Sequence, residues 1–308
     1  MAHSNPEIIE KFALDHHIQG LTEISIQAVI DNSPGYSIKK AQQFLAFQTR
    51  INEELLQHPV ITKNLYTKWF EEGNISKAQI SEFVVQFSVF SNLFLIAQLK
   101  KTINADTLEG MRASKEILAN EIGVVFNNKK ASHSANDTNS SEETGIVSTE
   151  GTVEGGVFRF KAAHFEWLLR MAENLGLTFN DIGKRIHGTR STLFFCDELS
   201  RLYGNEDYLI SQAASYAVEN WAAAGFWDEL VNGFTKYNET AANKLPLAFF
   251  TWHARIEAQH AAHTQEELEE LYFDRDIDED KFIKHGNEML EGVSAFWTGL
   301  NEQRKTIE

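Results

Sequence analysis

The sequence predicts an all-α protein, a helical bundle of about seven core helices with an N-terminal helical extension, on three observations. Only 4 prolines occur in 308 residues. Apolar residues recur at helical spacing over long stretches, and no alternating strand pattern of comparable length interrupts them.

Two weaker helical segments, at 6–17 and 20–31, come first and are set apart by Ser33-Pro34-Gly35. Residues 1–35 are therefore expected to form an extension, a cap or a partner-binding arm, on a single domain of residues 36–308. Helix 37–57 aligns Ala41, Phe44, Leu45, Phe47, Ile51 and Leu55 on one broad face. His58-Pro59 ends it, because the residue before proline is biased out of the α region. Ser76 and Gln79 form a capping-box pattern opening a helix that runs to about Lys101. A helix at 105–126 follows. Residues 127–156, rich in Ser, Thr, Asn, Gly and Glu, have little to bury and read as a flexible insertion. Helical pattern resumes at 158–175, 180–203, 206–235, 246–272 and 279–303. Gly176, Gly204 and Gly233 are expected stops, and Pro246 suits a first helical turn.

Composition narrows the function. With 28 Lys+Arg against 44 Asp+Glu, the formal charge is −16, which disfavours nucleic acid and anionic membrane surfaces as partners. One cysteine, Cys196, leaves no disulfide framework and no Cys-rich metal site. The longest apolar run, Phe87 to Leu99, is too short to span a bilayer, and the N-terminus has no secretory pattern. A cytoplasmic address is expected.

The sharpest chemical feature is TWHARIEAQHAAH in the helix at 246–272. His253, Glu257 and His260 stand at i, i+4 and i+7, within an arc of about 60°. Two imidazoles flanking a carboxylate on one face make a metal-ligand set, whereas the bland alternative is a solvated polar stripe. His263 is turned further away. Three more ionisable groups sit in apolar faces: Glu121 among Ile117, Leu118, Val124 and Val125; Glu219 among Tyr216, Ala222, Ala223 and Phe226; and His164 among Phe160, Trp167 and Leu168. A carboxylate on a core-facing stripe costs several kcal/mol unless it is paired, protonated or bound to a cation. Singly, each reads best as a helix-edge residue or a satisfied core histidine. Together, three Glu and three His match the donors two irons need. The ferritin-like plan of two Glu-x-x-His pairs does not apply, because His260 alone has a glutamate three residues earlier.

From about Trp69 to Leu300 the chain resembles the haem-oxygenase-like di-iron oxidases, all-helical proteins sharing the fold of haem oxygenase and of the thiaminase-like and PQQ-synthase-like proteins. The landmarks are WFEEGNISKAQISEFVVQF, ILANEIG, HFEWLLRMAENLGL, Glu219 ahead of the HARIEAQH motif, and DEDKFIKHGNEMLEGVSAFWTGL. The resemblance implies that Glu121, His164, Glu219, His253, Glu257 and His260 hold two Fe(II) ions, with O₂ as co-substrate. It departs from the family pattern twice. The first Glu and His lie 43 residues apart, accounted for by the insertion, and Glu257 stands where an aspartate is usual.

What the resemblance implies is oxidation of a small substrate by desaturation, bond cleavage or N- or C-oxygenation. The substrate would be an amino acid, its derivative or a fatty acid, in specialised metabolism. An external electron donor and a homodimer are both compatible with it. Arg255, Lys161 and Arg170 are candidate partners for a substrate carboxylate, with surface charge the simpler reading. The contrasting expectation is a metal-free, thiaminase-like or PQQ-synthase-like protein that binds or hydrolyses a small molecule. Such a protein would leave the Glu and His set without a purpose, and Cys196 lies outside the metal motifs. A haem-degrading enzyme or a partner-binding role would leave the same six residues unexplained.

Overall fold

The computed structural model describes residues 6–126, 148–153, 156–161 and 164–307; the side chains of 120, 124–126, 148–153, 156–161 and 256–264 lie outside that description. The chain enters through α1 (Pro6–Asp15), α2 (Glu23–Ile30) and α3 (Ile38–Glu54). On α3 the expected face is the buried one, with Ala41, Phe44, Phe47 and Ile51 sealed in the core. The short helices α4 (Pro59–Thr62) and α5 (Leu65–Glu71) follow. Pro59 opens α4 with its missing N–H where no partner is needed, and His58 Nδ1 accepts the Val60 N–H at 3.2 Å.

The bundle is organised around α6 (Lys77–Ile103), opened by the Ser76/Gln79 capping box that its sequence predicts. By length and composition α6 would be long and apolar enough to cross a bilayer, which the run Phe87–Leu99, interrupted by Ser91, Asn92 and Gln98, had not suggested. Here it is a core helix instead, with Ile80, Phe83, Val84 and Phe87 fully buried and α7, α8 and α9 packed on it.

After α7 (Leu108–Ile122) the structure departs from expectation. Gly123 takes φ 73 and ends the helix, a left-handed position that glycine occupies without strain. Beyond it lies a small antiparallel sheet of order β1-β3-β2, built from β1 (Val124–Phe126), β2 (Ser148–Val153) and β3 (Gly156–Lys161). Val124-Val125-Phe126 and the alternating Val157, Arg159 and Lys161 against Phe158 and Phe160 favour strands, where a helical reading had run through both stretches. Of the expected insertion, residues 127–147 lie outside the described residues, and from Ser148 the chain is in β2. The register pairs Val124 with Phe160, so the two ends of the insertion meet.

Helix α8 (His164–Leu175) begins immediately after the sheet and stops at Gly176, φ 89. The segment read as one helix from 180 is a loop, then α9 (Arg190–Glu198), which closes in a π-helical turn, Leu199–Tyr203. The helix expected over 206–235 is two, α10 (Tyr208–Ala222) and α11 (Phe226–Thr240), broken at Gly225 with φ 92. Gly233 is inside α11 rather than at its end. A Cβ there would stand 2.2 Å from the Phe70 carbonyl oxygen, so glycine lets α11 and α5 touch backbone to side. Pro246 precedes α12 (Ala248–Asp274) instead of entering its first turn. The last helix, α13 (Glu279–Gln303), packs along α10 and α9 and carries the buried Phe296 and Trp297.

Residues between Thr22, the N-cap of α2, and Lys40 on α3 hold the far end of α12. Glu269, 2% exposed, accepts hydrogen bonds from the Thr22 N–H (3.0 Å) and hydroxyl (2.7 Å). Lys40 donates to the Phe273 carbonyl oxygen at 2.9 Å, and the Tyr36 ring stacks on Phe273 with centroids 4.4 Å apart.

Candidate metal centre

Three helices bring Glu121, His164 and His253 to one buried place. Glu121 is in the last turn of α7 and His164 is the first residue of α8. Pairing of β1 with β3 draws these helix ends together, and His164 Nδ1 lies 2.8 Å from Glu121 Oε2. Separation along the chain is thus cancelled by the sheet. His164 is 5% exposed and His253, on α12, is 7% exposed; their ring centroids are 4.7 Å apart.

The His253 ring is oriented by its own helix. Nδ1–H donates to the Phe249 carbonyl oxygen at 2.7 Å, one turn earlier. A carbonyl only accepts, so this bond fixes a proton on Nδ1 and, in the neutral ring, leaves the lone pair on Nε2. That is how a metal-ligating histidine is held by its outer partners.

Aromatic rings wall the place. Trp227 of α11 stacks on His253 with centroids 4.5 Å apart, and Trp252 lies 4.9 Å from both imidazoles. Phe249 stands 4.3 Å from His253, and Trp167 stands 5.7 Å from His164. The indole N–H groups of Trp167 and Trp227 are buried without a hydrogen-bond partner among the described residues, an arrangement that costs about 1–3 kcal/mol each unless another group accepts from them.

Glu219 is half-buried on α10. The fully buried Tyr203 hydroxyl is pushed well above its usual pKa by burial first, then by Glu219, with Glu121 and Glu267 adding to it. Glu121 and Glu219 therefore both lie within electrostatic reach of one ring. Glu257 and His260 follow His253 along α12, and their side chains, like that of His263, lie outside the described residues. Among the described residues no group of three or more His, Cys, Asp or Glu is arranged to hold a metal ion. The donors present still fit the chemistry of a ferrous ion: a half-buried carboxylate and two imidazoles, one of them already fixed through Nδ1.

Comparison with solved structures then defines the architecture. A domain of unknown function from Shewanella denitrificans, described as having a haem-oxygenase-like fold, matches with TM-score 0.54 and 12% identity over 86% of this chain and 92% of its own. The chain has the haem-oxygenase-like fold. A TenA homolog from Pseudomonas syringae pv. tomato matches with TM-score 0.55 and 10% identity over 85% of this chain and 93% of its own. A CADD-like protein of unknown function from Nostoc punctiforme matches with TM-score 0.55 and 17% identity over 85% and 99%. No family model matches the sequence, and no curated protein does either. On this haem-oxygenase-like frame the paired residues Glu121 and His164 sit at the base of the inserted sheet.

Two residues beside the centre escaped the sequence reading. Lys101 continues the α6 stripe Phe83, Phe87, Phe90, Phe94 and Ala97, an ionisable group on an apolar face by the same criterion that found Glu219. Tyr203 gave no signal of its own, since its place depends on the π-helical turn. Of the candidate carboxylate partners, Arg255 is exposed, and the side chain of Lys161 lies outside the described residues. Cys196 is buried and its thiol is pushed up to about 12, first by burial, so it is no nucleophile at neutral pH.

Proposed function

We propose that this chain is a non-haem di-iron oxidase or oxygenase that uses O₂ to desaturate, cleave or N- or C-oxygenate a small substrate. The observation that carries the reading is the buried meeting of Glu121, His164 and His253 from three helices, with the His253 ring held through Nδ1. Glu121, His164, Glu219, His253, Glu257 and His260 would hold the metal. Two ferrous ions, when bound, supply the electrons that reduce O₂. The chain's own part is to orient the donors and keep water away. Phe249 sets the His253 ring, while Trp227, Trp252 and Trp167 enclose the two imidazoles. The orphan indole N–H groups of Trp167 and Trp227 offer donors to a polar group of whatever binds there.

The substrate class we favour is an amino acid, an amino-acid derivative or a fatty acid, met in the cytoplasm, with an external reductant restoring the ferrous state. Residues 1–35 are taken as an extension of the single domain at 36–308. The hydrolytic, thiaminase-like form of the metal-free alternative would call on a nucleophile, and the buried, protonated Cys196 does not supply one. The test is O₂ uptake by anaerobically iron-loaded protein, with product analysis by mass spectrometry against amino acids and fatty acids. Iron-dependent uptake that disappears in His253→Ala is expected. Uptake that persists in that variant, or product formation by the metal-free protein, would overturn the assignment.

A further inference from the structure

Lys101 is a half-buried ammonium on an otherwise apolar helix face. Its side chain rises from the apolar stripe of α6, and its ammonium lies 4.5 Å above the Tyr203 ring and donates to Ser215 Oγ at 2.5 Å. Ser215 is one turn before Glu219 on α10, so the ammonium is anchored on the α10 face that carries this glutamate. A network behind it holds its neighbours. Tyr203 donates to Gln98 Oε1 at 2.8 Å, and Gln98 Nε2 donates to the Ser114 carbonyl at 2.8 Å. Burial lowers the pKa of Lys101, and Glu267 and then Glu219 act the other way by attraction. Tyr203, below the ammonium, responds to Glu219, Glu121 and Glu267.

A strongly hydrated ammonium is not brought into such surroundings for packing, and a Leu or Met would fill the stripe at no desolvation cost. What it offers is one positive charge beside half-buried carboxylates, Glu219 and Glu267, that repel one another. A divalent cation offers the same charge compensation to the same carboxylates, and two cations held close together in a low-dielectric setting repel.

We propose that Lys101 is the resident counter-cation of the carboxylates around Tyr203, so that its ammonium and a divalent metal compete for one acidic cluster and Lys101 sets the affinity of the centre for metal. The inference rests on the metal-binding reading given above. Lys101 is a positioning residue here, acting on the metal only through Glu219 and its neighbours.

The test is titration of the metal-free full chain with Mn(II), free metal being read by electron paramagnetic resonance, for wild type, Lys101→Met and Lys101→Arg. Thermal unfolding of each protein without metal is measured in parallel. Lys101→Met is expected to bind Mn(II) at least about tenfold more tightly than wild type and to melt at a lower temperature when metal-free. Lys101→Arg keeps the charge and is expected to bind no more tightly than wild type. A purely structural role would weaken binding in both variants rather than tighten it in one. Equal or weaker binding by a folded Lys101→Met, with wild type binding Mn(II), overturns the inference and leaves the metal reading intact. Absence of binding in all three proteins overturns both. If Lys101→Met folds only when Mn(II) is present, the metal is replacing the ammonium, as expected; failure to fold in either condition sinks the idea.

Discussion

His253 Nδ1 lies 2.7 Å from the carbonyl oxygen of Phe249, one turn earlier on the same helix. The bond pins the imidazole against Trp227 and sets its tautomer in a single step. Truncation of His253 therefore has two separable consequences. His253→Ala should lower the stability of the metal-free protein by about 1–3 kcal/mol in urea unfolding, through lost packing and a carbonyl without its donor. It should also abolish metal retention. His253→Gln, which can still reach the Phe249 carbonyl, should recover part of the stability and none of the metal binding.

Glu269 and Thr22 make the contact that ties the N-terminal helices to α12. The carboxylate accepts from both the Thr22 N–H and its hydroxyl, at a helix N-terminus where negative charge is favoured. Glu269→Ala should cost about 2–4 kcal/mol, because two donors lose their acceptor in a buried place. Thr22→Val, which removes the hydroxyl's bond to Glu269 and its cap on the Ser25 N–H, should cost about 1–2 kcal/mol. Chemical denaturation of the two single variants separates these values. A cost for Glu269→Ala smaller than that for Thr22→Val would contradict this reading of the contact.

Gly233 offers a test of helix packing against helix propensity. Alanine is the better helix former by about 1 kcal/mol. A Cβ at this position would meet the Phe70 carbonyl oxygen at 2.2 Å, and that atom is backbone. Gly233→Ala should therefore destabilise by about 2 kcal/mol or more, with the sign opposite to propensity. A stabilised variant in thermal unfolding would show that α5 and α11 separate freely.

Cys196 should resist alkylation in the native state. Its thiol is pushed up to about 12, from a usual value near 8.5–9, so the thiolate is scarce at pH 8. The folded state holds the proton that the unfolded chain releases. The protonated thiol's contribution to stability is therefore complete below the ordinary thiol value and is lost as pH rises from there toward about 12. Modification by iodoacetamide at pH 8 should follow unfolding, and Cys196→Ala should flatten the decline of stability across that alkaline window.

Much of this architecture was legible in the residues, and the misses have physical causes. The apolar face of α3, the capping box of α6 and the buried His253 follow from helical spacing, because burial acts on faces. Glu121 and His164 stand at helix ends, and Val124, Val125 and Phe160, counted as their helical neighbours, are in strands. The sheet did not follow. Val124 to Phe126 is three residues long, and its partner β3 is remote in sequence, so pairing rather than local pattern decides it. The break at Gly225 and the unbroken helix through Gly233 separate two uses of glycine, one for a positive φ and one for close approach. Only the tertiary structure tells them apart. Lys101 could have been found by the stripe criterion, whereas Tyr203 could not, since a π-helical turn shifts the register that would have placed it.

The central claim is that the buried donors hold iron. The most direct measurement is iron per chain after anaerobic loading with Fe(II) and desalting, for wild type beside His253→Ala and Glu219→Ala. Near two irons per chain, or one firmly held, with loss in both variants, is the predicted result. A wild-type chain that retains no iron and is indistinguishable from its variants would contradict the account, pointing instead to a metal-free protein on the same fold.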